Sequence, residues 1–128
     1  MYMDLHLKSR EYGLRLFLLG SSCYPLLELA WRGHTHWSMA LAGGCAALLL
    51  GGIARRRCTF AYKCVLGALA ITCVEFSFGL LFNVLGGLQV WDYSAQPFNI
   101  MGQICLPFCL LWLLLSALVM PFLCRAAS

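Results

Sequence analysis

Four apolar runs divide this chain, and each is close to the ~20 residues that a helix needs to cross ~30 Å of hydrocarbon. They cover about residues 13–31, 37–54, 61–82 and 103–124. At ~1.5 Å of rise per residue, each reaches about 27–33 Å. A water-facing globule cannot hide so much: the chain is 62% hydrophobic and 11% charged, against roughly 45–50% and 25% in soluble domains. The expected fold is therefore all-α, a single transmembrane domain over residues 1–128 built as an integral membrane four-helix bundle. Tyr12, Trp31, Trp37, Tyr62, Phe82 and Phe122 fall near run ends, where aromatic rings prefer the headgroup level.

Orientation follows from the basic residues. With the amino terminus in the cytoplasm, Lys8, Arg10, Arg15, Arg55, Arg56, Arg57, Lys63 and Arg125 all lie inside, and of the nine Lys and Arg only Arg32 lies outside. The positive-inside rule then predicts N-in/C-in topology in a cell (inner) membrane. The net charge of +4 reports this topology and gives no support to a nucleic-acid role, because the basic residues sit in short clusters at membrane ends. The first run is read as a retained span and not a cleaved signal, since it continues well past the small residues Gly20, Ser21 and Ser22.

The eight cysteines contain no C-x-x-C, which disfavours a thiol oxidoreductase. Cys23, Cys45, Cys73, Cys105 and Cys109 fall inside the runs, where Cys acts as a small apolar residue. Neither G-x-x-x-x-G-K-[ST] nor G-x-G-x-x-G occurs, so ATP-driven work would need a separate ATPase subunit. Gly43, Ala47 and Gly51 repeat at four-residue spacing on the second run. Small residues so placed let backbones approach closely, within the bundle or across a homo-oligomer. The outward faces meet membrane lipid.

Connections of about five or six residues make neighbouring helices antiparallel. The third connection, residues 83–102, is about 20 residues long, and loops of that length in small domains are usually functional. It holds Gly86, Gly87 and Pro97, which oppose a continuous helix, and Trp91, Tyr93 and Phe98, which suit a membrane surface.

The acids inside the runs are the most informative residues. Glu75 lies about 21 Å from the inner end of its helix and about 10 Å from the outer end. A carboxylate at such depth costs a few kcal/mol, so it is expected to face the bundle or water and to mark a site. Ala68, Thr72, Gly79 and Asn83 share its helical face as a small, polar stripe. Glu28 sits near the outer end of the first helix beside Ser21, Tyr24 and Arg32; its plain reading is an i,i+4 pair with Arg32. The expectation is that Glu28, Glu75, Asp92 and Asn99 converge on one outer-half pocket roofed by Trp91 and Tyr93, with Arg32, Asn83 and Gln103 nearby. Such an acid-rich pocket would take a cation or cationic group, or hold Glu75 protonated. The plainer alternative makes Asp92 and Asn99 turn caps. His34 and His36 form an H-x-H that is a weak metal candidate, with a solvated loop the simpler reading. No other cofactor is expected, and no nucleophile set with a plausible order emerges.

The string Trp91-Asp92-Tyr93-Ser94, Pro97-Phe98-Asn99-Ile100, Gly102-Gln103-Ile104-Cys105-Leu106, with Trp112 beyond it, resembles the ABC-transporter type IV (CmpB-like) membrane family. Glu28 followed by Arg32-Gly33, and Glu75 on the third helix, extend the similarity from about Tyr24 to Trp112. Gln103 stands where many members carry Arg, and His34-Thr35-His36-Trp37 replaces a Gly/Pro-rich segment. The resemblance implies a multi-pass membrane protein of permease type. A small transporter subunit handling a polar or cationic solute is the leading reading. A membrane-embedded enzyme, or an accessory subunit of a larger membrane complex, is the alternative, separable by turnover or by stable pulldown that survives Glu75→Gln.

Overall fold

A computed structural model describes residues 1–127, and those residues fold as helices joined by three connections. α1 spans Tyr2–Arg32, α2 spans Trp37–Ala54, α3 spans Phe60–Phe78 and runs on as a π-helix over Gly79–Leu85, and α4 spans Leu106–Ala127. Among the described residues there is no strand, only an isolated antiparallel bridge between Ile100 and Ile104.

Among these residues three helical stretches are long and apolar enough to cross a membrane: Trp37–Ala54, Phe60–Leu85 and Leu106–Ala126. α1 has the length, but Arg15, Glu28, Arg32, Ser21, Ser22 and Pro25 dilute its leucines. It also begins earlier than the apolar run, because residues 2–12 contain neither Gly nor Pro to interrupt a helix. Large apolar side chains such as Leu18, Leu19, Leu26, Leu69, Leu81, Leu114 and Leu118 are exposed around the bundle. So many exposed apolar side chains suit a surround of hydrocarbon.

Local chemistry sets the helix ends. Gly33 closes α1 in the left-handed conformation, φ 76°, with its N–H donated to the Leu29 carbonyl, a conformation open to glycine at little cost. His36 caps α2: its Nδ1 accepts from the Ser38 N–H at 3.2 Å and lies 2.7 Å from the Ser38 hydroxyl. Thr59 caps α3 by accepting from the Tyr62 N–H. Lys63 donates to the Ala54 carbonyl at 2.9 Å, placing a cation at the negative end of α2.

α1 packs on α2, α2 on α3 and α4, and α3 on α4, while the α1 backbone approaches neither α3 nor α4. The α1·α2 contact runs through the small-residue stripe. Gly43 faces the backbone of Gly20 and the Tyr24 Cβ, Gly44 faces Phe17 and Ser21, and Gly51 faces Leu16. The stripe is thus covered within the chain by α1. One buried cluster holds Leu50, Ala68, Ile71, Trp112 and Met120. A second, Met39, Ala42, Val90 and Trp91, lies where the α3–α4 connection meets the helices.

Candidate functional site

The polar stripe on α3 turns inward. Ala68, Thr72, Glu75 and Gly79 are buried and Asn83 is half-buried. At Gly79 the helix widens to π geometry, and a Cβ there would meet Gln103 Oε1 at 2.6 Å and Trp91 Cζ2 at 3.1 Å. The missing side chain lets the α3–α4 connection press against the helix, and π segments of this kind often occur at functional positions. Asn83 then joins helix to connection: its amide donates to Gln103 Oε1 at 2.8 Å, and its Oδ1 accepts from the Val90 N–H at 2.8 Å. Gln103 also donates to the Met101 carbonyl, and Trp91 Nε1 donates to the Gln103 carbonyl at 2.9 Å.

These bonds make residues 86–105 a compact lid. Tyr93 N–H donates to the Gly102 carbonyl at 2.7 Å. Asn99 donates to the Ser94 and Gln96 carbonyls and accepts from the Gly102 N–H. Phe98 and Met101 both take positive φ, 53° and 54°, strain that the surrounding bonds hold in place.

Glu75 is 7% exposed. Trp112 Nε1 donates to its Oε2 at 2.6 Å. Its Oε1 is buried without a hydrogen-bond partner, although the Tyr93 hydroxyl stands beside the carboxylate. Burial, with Glu75 as neighbour, pushes the Tyr93 phenol well above its ordinary range. Glu28 and Arg32 form an ion pair, and Arg32 also donates to the Val90 carbonyl at 3.0 Å. α1 is thereby tied to the lid. Around these groups runs a series of aromatic rings: Tyr93 stacks on Phe108 with centroids 4.6 Å apart, Phe108 lies 6.1 Å from Trp112, and Trp112 lies 6.0 Å from Tyr24.

Two cavities meet at this point. The larger, about 360 Å³, is lined by Tyr24, Glu28 and Arg32 of α1, Trp91 and Tyr93 of the lid, and Phe108, Trp112 and a row of leucines on α4. The smaller, about 20 Å³, touches Glu75 and shares Tyr24 and Trp91 with the larger; it has room for about one water.

A family model described as "Putative ABC-transporter type IV" matches residues 32–128. The chain belongs to that family. The matched region contains the lid, Glu75 and Trp112, whereas Tyr24 and Glu28 precede it. Comparison with curated proteins and with solved structures gives no match. Family membership and the three apolar helices make this an ABC-transporter-type membrane protein.

Of the residues expected at the site, the structure brings Glu28, Arg32, Trp91 and Tyr93 to the larger cavity and sets Glu75 behind the aromatic wall formed by Tyr93 and Trp112. Asn83 and Gln103 hold the lid and line neither cavity. Asp92 and Asn99 do not join the acids. Asp92 is exposed and its Oδ1 accepts from the Ser94 N–H at 2.9 Å, a bond that holds its carboxyl below the usual range. A short polar side chain followed two residues later by a free N–H closes a turn more readily than it reaches a cavity. His36 is committed to the α2 cap and His34 is exposed; among the described residues no three His, Cys, Asp or Glu are grouped as metal ligands.

Trp112, Phe108 and Tyr24 are the contributors that sequence reasoning left outside the expected pocket. A signal existed for the first of these. Trp112, Ser116 and Met120 repeat at four-residue spacing on an otherwise leucine-rich helix, and all three are buried.

Proposed function

We propose that this protein is a small permease-type subunit of a membrane transporter, handling a solute with a cationic group at the Glu28–Glu75 site. The observation that carries the reading is the Glu75 carboxylate, buried among the Trp112 and Tyr93 rings and in no ion pair among the described residues. Arg32 offsets Glu28, so Glu75 is the acid near the cavity without a cationic partner of its own. Aromatic faces attract cations strongly once water is excluded. In this reading α1 is the fourth crossing, both termini and the Arg55–Arg57 turn are cytoplasmic, and the lid lies outside a cell membrane. With no nucleotide-binding motif in the chain, ATP-driven transport takes a separate ATPase subunit, and any homo-oligomer uses faces beyond the α1-covered glycine stripe.

Transport is tested by uptake of methylammonium into proteoliposomes, with and without a candidate ATPase. Saturable uptake that falls at least about tenfold in Glu75→Gln, or about 1.4 kcal/mol, is expected. Uptake that is absent, or indifferent to Glu75, would remove the proposal. Orientation is tested separately by labelling single cysteines in a cysteine-free background with a membrane-impermeant reagent. Gln96→Cys should label from outside and Arg56→Cys only after permeabilisation. The reverse pattern would invert the topology.

A further inference from the structure

The larger cavity has more apolar wall than a small solute requires. From Phe108 to Leu118 its α4 wall runs about 15 Å at ~1.5 Å per residue, carrying Leu111, Leu114 and Leu118, which are 47%, 56% and 60% exposed. Leu27 faces them from α1 and is 57% exposed. Because the α1 and α4 backbones do not approach each other, this part of the cavity is a groove open on the side that faces hydrocarbon. Its other end is polar and aromatic, with Glu28, Trp91, Tyr93 and Trp112, and with Glu75 behind them.

We infer that the site takes lipophilic organic cations from within the bilayer, the charged group among Tyr24, Trp91, Tyr93 and Trp112 with Glu75 behind those rings, and the apolar body along the α1–α4 groove. This rests on the reading of the site as one that accepts a cationic group, and it adds the apolar body and the lateral route.

Charge complementarity selects this occupant over others. A lipid with an anionic headgroup would find Arg32 already bonded to Glu28 and to the Val90 carbonyl and would face the unoffset Glu75. A plain acyl chain has no use for buried carboxyls or for ring faces. A cation attached to an apolar body uses both ends: ring faces, with Glu75 behind them, hold the charge, and leucines cover the remainder. Tyr24 and Trp91 line both cavities, and Trp91 is fixed by its bond to the Gln103 carbonyl. Tyr24 and Trp91 thus stand between the groove and the chamber beside Glu75.

The test is equilibrium binding of decyltrimethylammonium, below its micelle concentration, and of tetramethylammonium to the full chain in nanodiscs of neutral lipid, each corrected for uptake by empty nanodiscs. Decyltrimethylammonium should bind at least about tenfold more tightly, and Leu114→Trp, which fills the groove, should weaken it about tenfold or more. Leu49→Trp on the exposed face of α2 serves as the control and should leave binding unchanged. Equal affinities in the unsubstituted chain would overturn the inference while leaving the cation site standing. So would tight decyltrimethylammonium binding that is indifferent to Leu114→Trp, or a co-purified lipid that the cation does not displace. If neither cation binds, the cation site fails and the inference fails with it.

Discussion

Gly43→Leu is expected to destabilise the folded protein by about 3 kcal/mol or more, at or beyond the upper end of what overpacking usually costs. Gly43 meets the backbone of Gly20 and the Cβ of Tyr24. A neighbour that is backbone cannot rotate away, so α1 must move off α2. The loss would spread, because among the described residues the α1 backbone approaches no helix but α2 and α1 carries Tyr24, Glu28 and Arg32 to the site. Gly52 is the matched control on the same helix: nothing lies within 4 Å of where its Cβ would stand, so Gly52→Leu should change stability by no more than about 0.5 kcal/mol. Denaturant titration in mixed micelles compares the two. Equal effects would mean that the helices do not meet at Gly43.

Trp91→Ala should release the lid, at a cost of about 3–5 kcal/mol for a large buried aromatic. Trp91 is 7% exposed, packs with Met39 and Ala42, and donates to the Gln103 carbonyl. Its loss leaves a void against α2 and an unpaired carbonyl on the residue that Asn83 holds from the other side. Limited proteolysis gives the readout, with cleavage in residues 92–104 rising steeply while the helices stay protected. Phe98→Ala is the comparison: Phe98 belongs to the same lid but is 81% exposed, and its truncation should leave cleavage near the starting level.

Membrane-length apolar runs made the second helix plain, because Trp37–Ala54 is bounded on one side by a His36 cap and on the other by an arginine cluster. They were a poorer guide to the other ends. α1 begins at Tyr2, ahead of its apolar run, because apolarity measures what lipid tolerates, whereas helix formation asks only for residues that do not break it. α3 continues to Leu85 in π geometry, and Gly79 at the start of that segment stands against Gln103, a contact between residues so far apart in sequence that it leaves no periodic trace. α4 starts at Leu106, after the expected Gln103, since Gly102 takes φ 70° and the Gln103 carbonyl serves Trp91.

The site was legible to the same uneven degree. Glu75 stands out in the sequence because a carboxyl deep in an apolar run must face the bundle or water, and it is buried on the inner face of α3. Asp92 and Asn99 share its chemistry but not its constraint: in a polar connection an acid or amide has nearby N–H groups to satisfy it, and both residues close turns. Trp112 was harder to assign, since one tryptophan in a leucine-rich helix gives no sign that its N–H is aimed at Glu75.

Equilibrium binding of tetramethylammonium to the reconstituted chain, measured for the unsubstituted protein and for Glu75→Gln, tests the cation site most directly. Saturable binding that weakens at least about tenfold on losing the carboxylate, about 1.4 kcal/mol, is the expected result. Absent binding, or binding of equal strength to Glu75→Gln, would contradict it.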